Sequence, residues 1–196
     1  MRVLAVYGSP RRRGNSALLL EAAVQGARAA GAQVDEVVLR DLSMSPCLEI
    51  YGCKKTGRCV IEDDFQEVYD KIAACDGIML ASPIFFYTVS AHTKILMDRC
   101  QSFWVKNNWL ADSLAREPGK KRPGLFIAVG ATRGRKLFDG TMLTVRYFFE
   151  AIEVELRASL LYRGLDFEGD VSRHPEYLQE TYEAGRALCL AIRSAP

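Results

Sequence analysis

The chain has 196 residues, 49% of them hydrophobic and 26% charged, with a net charge of +2. That balance fits a single globular domain over residues 1–196, long enough to bury a core without staples, and excludes a disordered chain. So small a net charge makes no general case for nucleic acid, and any basic surface must be local.

The apolar opening stops at Gly8 with no small-residue cleavage site behind it. No signal peptide is read there, and a cytoplasmic location is expected. The longest uncharged span, Gly77 to Thr93, contains Pro83 and is too short to cross a bilayer. The six cysteines, at 47, 53, 59, 75, 100 and 189, are expected to be reduced.

Arg2 to Tyr7 reads as a first buried strand, followed by a helix from Ser16 to Ala30. That helix repeats Leu19, Ala22, Ala23, Gly26, Ala27 and Ala30 on one face, small residues that suit close packing on a sheet, and Gly31 closes it. Val34 to Leu39 forms a second strand, more polar and suited to a sheet edge. A cysteine-bearing loop of some two dozen residues follows, and loops of that length usually serve a function or cover something.

Asp63 or Asp64 then caps a helix with Phe65, Val68, Tyr69 and Ile72 on one face. Gly77 to Ala81 is an unbroken apolar strand of the kind a doubly covered parallel sheet contains. A helix from about Ser90 to Phe103 follows the loop Ser82 to Val89, and a polar region ends at Pro118 to Pro123. Within that region Lys120 to Arg122 reads as a solvated loop.

Leu125 to Val129 is the fourth strand, Asp139 to Ile152 a helix, and Val154 to Tyr162 the fifth strand. Pro175 suits the first turn of a last helix running to about Ile192. Five β-α units imply an α/β fold: a three-layer sandwich around a five-stranded parallel sheet, with order 2-1-3-4-5. In such a sheet the ligand sits beyond the carboxyl ends of the strands, where their order reverses. The loops Gly8–Ser16, Ser82–Val89 and Gly130–Arg135 would then meet at one crevice.

The first of these, Gly8-Ser9-Pro10-Arg11-Arg12-Arg13-Gly14-Asn15-Ser16, has the composition of a phosphate cradle. A helix N-terminus with unpaired N–H groups faces the loop, and Ser9, Asn15 and Ser16 add donors. Five residues separate Gly8 from Gly14, and Asn15 stands where a Walker A loop needs lysine. G-x-G-x-x-G is also absent, so a terminal monophosphate, as in FMN, is favoured over a pyrophosphate or triphosphate. The alternative is an ordinary strand-to-helix turn with solvated arginines.

Ser82-Pro83-Ile84-Phe85-Phe86-Tyr87 keeps apolar and aromatic residues past a strand end, where polar ones are usual. It reads either as a platform for a flat ring or as a loop buried under a helix or a second subunit. Gly130-Ala131-Thr132-Arg133-Gly134-Arg135 offers backbone N–H groups and positive charge for the ring edge or for a nicotinamide cofactor's phosphate; its alternative is a solvated turn.

Three motifs in order, G-S-P-R-x-x-G-N-S, C-K-K-T-G-R-C-V-I-E-D-D-F and S-P-I-F-F-x-x-V-S-A-H-T-K-x-x-M-D-R, resemble the flavodoxin-like NADPH-dependent FMN reductases, especially their iron-sulfur flavoprotein branch. The resemblance runs from Arg2 to about Arg99. It implies an FMN-dependent oxidoreductase of flavodoxin-like fold, a homodimer or homotetramer, using NADPH or NADH as co-substrate. It carries phosphate contacts to Ser9, Arg11, Asn15 and Ser16, and ring and ribityl contacts to Pro83, Ile84, Phe85 and Phe86. Thr132 and Gly134 follow from the same resemblance.

The iron-sulfur branch resembles P-C-x-x-C-x-x-C with a further cysteine downstream. Here Pro46-Cys47 and Cys53 match, Cys59 serves as the last, and the second place is Ile50, so a four-thiolate cluster lacks a ligand. The x5 spacings match no common zinc pattern. No cluster is therefore expected to assemble and no metal residue is assigned; the three cysteines read first as a structural remnant, then as a redox-active thiol pair, and last as a metal site.

Asp98 and Arg99 read as a structural ion pair, and the two histidines, His92 and His174, form no nucleophile–base pair with a cysteine. Trp104 and Trp109 read as a dimer patch or as packing over a helix end. No side-chain catalyst is required, since hydride arrival at a flavin needs orientation and water exclusion. The leading expectation is transfer from NAD(P)H through FMN to a small acceptor such as a quinone or flavin. The alternatives are an electron-transfer flavoprotein served by a protein partner, and a non-catalytic regulatory module.

Overall fold

A computed structural model describes residues 1–110 and 121–194. Its sheet consists of β1 (Arg2–Tyr7), β2 (Gln33–Val38), β3 (Gly77–Pro83), β4 (Arg122–Gly130) and β5 (Val154–Arg163). All pairings are parallel and the order is β2-β1-β3-β4-β5. The interior strands β1, β3 and β4 are the most buried, as strands covered on both faces must be, and the polar β2 lies at an edge.

The helices are α1 (Asn15–Ala29), α2 (Cys53–Thr56), α3 (Phe65–Ala74), α4 (Ala91–Arg99), α5 (Gln101–Val105), α6 (Asp139–Ala151) and α7 (Pro175–Arg193). One core half lies between the sheet and α1 with α7, built around Val3, Ala5, Leu19, Met79 and Ile127. The other lies under α3 to α6, around Leu4, Phe65, Leu80, Phe126 and Phe149. Each strand alternates its side chains between the two halves, so both layers form only in this register.

Several local expectations need correction. The small residues of α1 serve a helix crossing as well as the sheet. A Cβ on Gly26 would lie 2.0 Å from the Tyr182 carbonyl oxygen, and one on Gly185 2.0 Å from that of Ala23, so α1 and α7 meet backbone to backbone. The helix read from Ser90 to Phe103 is two helices: Cys100 has ψ near 0°, which turns the axis and lays Phe103 on Tyr69, ring centroids 4.0 Å apart.

Arg122 belongs to β4 and is half-buried, not a solvated loop residue. Its guanidinium donates to the carbonyls of Ile72, Cys75 and Ile152, satisfying helix ends that lack donor partners. Lys120, with Pro118 and Gly119, lies outside the described residues. Asp98 and Arg99 do not pair with each other: Asp98 takes Lys94, and Arg99 takes Asp63. Asp63 also accepts the Phe65 N–H at 3.1 Å, so of the two candidate caps it is the one whose carboxylate meets the start of α3.

No helix among the described residues is long and apolar enough to cross a membrane.

Candidate functional site

The three anticipated loops reach the carboxyl end of the sheet together. Between them lies a cleft of about 290 Å³. Ser9, Arg11, Asn15, Ser16, Pro83, Ile84 and Phe85 all line it, seven of the ten expected residues. Phe86, Thr132 and Gly134 stand outside its walls, although Ala131, next to Thr132, is part of them.

The first loop is seated by its start. Gly8 donates its N–H to the Ala81 carbonyl at 2.8 Å, and its own carbonyl accepts the Ser90 hydroxyl. A Cβ there would lie 2.1 Å from Thr93 Oγ1, so only glycine lets β1 pass this close to β3 and α4. Ser90 caps α4 by accepting the Thr93 N–H, and its own N–H reaches Ser82 Oγ at 3.0 Å. Ser82, Ser90 and Thr93 thus tie the first and second loops into one buried polar knot.

Beyond Gly8, Ser9 Oγ accepts the Arg11 N–H at 3.0 Å, curling the chain ahead of α1. Helix α1 begins at Asn15, and the leading N–H groups of a helix have no carbonyl four residues back. They face the cleft with the partial positive charge of the helix start, and its first turn carries no acidic residue to compete. Of the three arginines, Arg12 pairs with Asp41 at 2.8 Å, whereas Arg11 makes only a bond to the Asp166 carbonyl at 3.3 Å and keeps its charge unneutralised.

Asn15 behaves differently from a free donor. Its Nδ2 donates to the Phe167 carbonyl at 2.9 Å and its Oδ1 accepts the Val171 N–H at 3.1 Å. Both ends of the amide are thus engaged with the loop after β5. That loop is the wall which sequence reasoning missed: Leu165 and Asp166 line the cleft. Asp170 holds it by accepting the N–H groups of Asp166 and Phe167 at 3.0 and 2.8 Å. These bonds, first the Phe167 amide, together with Arg173 hold the Asp170 carboxyl below the usual carboxylate range. The rule that ligands lie beyond strand carboxyl ends applies to β5 as well, and would have marked this loop.

The aromatic loop is a two-residue hairpin. Phe85 and Thr88 exchange backbone bonds at 2.9 and 3.0 Å, and Phe86 and Tyr87 occupy the turn with φ of 48° and 61°. Turns of this hand favour Asn and Gly, and two bulky residues there are strained. Phe86 is 100% exposed. Thr141 Oγ1 donates to the Tyr87 carbonyl at 3.1 Å, joining the hairpin to α6.

A five-stranded parallel sheet in this order, with a cleft beside the loop after its first strand, defines the flavodoxin-like class. Residues 1–155 match the family described as NADPH-dependent FMN reductase, and the chain belongs to that family. It is 40% identical over 137 residues to an iron-sulfur flavoprotein of Methanocaldococcus jannaschii, covering 68% of this chain and 64% of the relative. An iron-sulfur flavoprotein of Methanosarcina thermophila is 32% identical over 133 residues, with 68% and 65% coverage. The chain therefore matches just under two thirds of the length of these relatives.

Among solved structures, a flavone reductase superposes with a TM-score of 0.74 at 18% identity, over 99% of this chain and 64% of that one. An NAD(P)H:quinone oxidoreductase from Methanothermobacter marburgensis gives 0.68 at 19% identity, with 96% coverage of each. At those identities the likeness is one of fold.

The cradle fits a flavin mononucleotide: a helix start and an uncompensated Arg11 for the phosphate, and an apolar wall of Pro83, Ile84 and Phe85 for a flat ring. The cysteine loop does not fit a four-thiolate cluster. Ile50 occupies the second ligand place, and among the described residues no three His, Cys, Asp or Glu side chains converge to hold a metal ion.

Proposed function

We propose that the chain is an FMN-dependent oxidoreductase that takes hydride from NADPH or NADH and passes electrons to a small acceptor such as a quinone or a free flavin. The observation that carries this reading is the meeting of seven expected residues from two separate loops around one cleft at the strand carboxyl ends, beside an anion-binding helix start.

FMN would supply the redox chemistry itself, accepting hydride at its ring and giving electrons up again. The protein's part is to bind and orient. Ser9, Ser16, Arg11 and the first amides of α1 would hold the phosphate, and the Asn15 amide would keep the cradle joined to the loop after β5. Pro83, Ile84 and Phe85 would hold the ribityl chain and ring, with Phe86 at the open side. Thr132 and Gly134 would offer backbone N–H groups to the ring edge, beside the positive charge of Arg133.

No side-chain acid or base is needed for hydride arrival, so the walls act by alignment and by excluding water. The exposed Leu143 and Tyr147 on α6, near the exposed hairpin, support a homodimer or homotetramer that covers this side.

The deciding measurement is the visible spectrum of the purified protein before and after anaerobic NADPH. Flavin bands that bleach within the turnover time are expected. A colourless protein that does not retain added FMN overturns the reading, and a bound flavin that NADPH reduces only slowly would make it an electron carrier served by another protein.

A further inference from the structure

We propose that Cys53 and Cys59 form a reversible thiol–disulfide couple, a second two-electron centre that does not depend on the flavin assignment. Three of the six cysteines, Cys47, Cys53 and Cys59, line one cavity of about 610 Å³, together with Trp104 and Trp109. The other three, Cys75, Cys100 and Cys189, are buried elsewhere in the core. All six are free thiols.

The backbone returns Cys59 towards Cys53. Helix α2 starts at Cys53 and ends after one turn at Gly57, which has φ of 72° and reverses the chain. The reversal is fixed from below, where the Tyr69 hydroxyl donates to the Gly57 carbonyl at 3.0 Å and Gln66 Nε2 to the Cys59 carbonyl at 2.8 Å. Cys47 lies ahead of α2 in the chain, outside this reversal. Three thiols do not converge on a point that one ion could occupy, but a disulfide requires only two.

The floor of this cavity holds a second, independent feature. Arg99 lines it, and its side chain is 0% exposed. Two of its nitrogens bond Asp63 at 2.6 and 3.0 Å, and one also reaches the Ser45 carbonyl at 2.8 Å. Its Nε has no partner, and among the described residues it is the one buried side-chain nitrogen or oxygen in that state. Arg99 and Cys59 line the same cavity, which places a buried cation with a spare N–H in the wall that the thiol pair shares.

With hydrogen peroxide as oxidant the chemistry balances. The Cys59 sulfur attacks the peroxide, the O–O bond breaks, an S–O bond forms and one water leaves. The Cys53 sulfur then displaces the hydroxyl from Cys59, forming the S–S bond and releasing a second water. The two sulfurs together lose two electrons, which the peroxide gains. A dithiol reductant returns two electrons and two protons and restores both thiols.

The test uses the full chain, treated with hydrogen peroxide under native conditions, with free thiols counted and peptides mapped. Two thiols per chain should disappear, the mass should fall by about 2 Da, and the link should map to Cys53–Cys59 and reverse with dithiothreitol. Cys47→Ser should behave as the parent, and Cys59→Ser should form no link. If Cys59→Ser does not fold, prior alkylation of the folded parent, mapped to Cys59, should block the link in the same way. No thiol loss, or a link through Cys47 or a buried cysteine, overturns the proposal. So do iron and sulfide at cluster stoichiometry in anaerobically purified protein. Flavin content and bleaching by NADPH are read separately, so failure of the thiol couple leaves the flavin reading standing.

Discussion

Asn15 donates a side-chain N–H to the carbonyl of Phe167 at 2.9 Å, across 152 residues of sequence. With the Val171 N–H on its oxygen, this amide joins the phosphate loop to the loop after β5. Arg11 reaches the same loop more weakly, through the Asp166 carbonyl at 3.3 Å, with its charge still unneutralised.

The two residues should therefore fail differently on substitution. Arg11→Ala should weaken FMN binding by roughly 10- to 100-fold, the size of a charge-assisted hydrogen bond, and leave riboflavin binding unchanged, since riboflavin has no phosphate. Asn15→Ala should weaken both ligands alike and cost about 1–3 kcal/mol of stability, because it leaves the Phe167 and Val171 groups unpaired. Titration of each variant with FMN and with riboflavin, beside a thermal melt, checks both. Equal loss for both ligands in Arg11→Ala would remove Arg11 from the phosphate site.

Gly8→Ala tests the knot beneath the cradle. The new methyl would lie 2.1 Å from Thr93 Oγ1 and 2.7 Å from the Ala81 carbonyl oxygen, and the latter is backbone in the central strand. A cost of about 3 kcal/mol is expected from overpacking, with the cradle displaced and FMN affinity lowered at the same time. Chemical denaturation and flavin titration should move together, and an unchanged denaturation midpoint would mean that β1 and β3 are less closely held than described.

Much of this was legible in the chain. Uninterrupted apolar runs at Val3–Val6 and Ile78–Ala81 could only be doubly covered strands, and Gly and Pro marked where they end. Side-chain partners distant in sequence were not legible. Nothing local to Asn15 signals Val171, and Arg122 looked solvated because a run of basic residues does not reveal helix ends converging on one of them. Ser9 to Ser16 and Pro83 to Phe85 could be found because each is a local departure from the usual loop, in glycine spacing or in apolar content.

Arg99 and Asp63 give the fold a pH dependence. Burial opposes ionisation of Asp63, but the Arg99 guanidinium and the amides of Ser45 and Phe65 outweigh it and hold the carboxyl below the usual carboxylate range. A carboxyl whose folded pKa is depressed adds stability above its unfolded value, near 3.9, and loses it as pH falls through the folded value. Stability contributed by this pair should therefore be constant at neutral pH and decline on acidification below about pH 4. Asp63→Asn should cost about 3–5 kcal/mol at neutral pH by stranding a buried cation, and should flatten that acid limb. Denaturant midpoints of parent and variant from neutral pH down to about pH 3 provide the check.

The hairpin at Phe86 and Tyr87 sets stability against function. Both residues hold positive φ, a conformation that costs a bulky side chain about 1–2 kcal/mol, and Phe86 makes no compensating contact because it is fully exposed. The double substitution Phe86→Asn with Tyr87→Gly, which installs the residue types such a turn prefers, should raise the unfolding free energy by about 1–2 kcal/mol. If the aromatic pair serves only the turn, flavin binding and NADPH oxidation should be unchanged in the stabilised protein. The expected result is a higher melting temperature with weaker flavin retention or a raised KM for the acceptor, because strain of this kind persists where the side chains meet a ligand or a partner. Melting curves and steady-state kinetics on the double variant separate the two outcomes, and full activity at higher stability would remove Phe86 from the site.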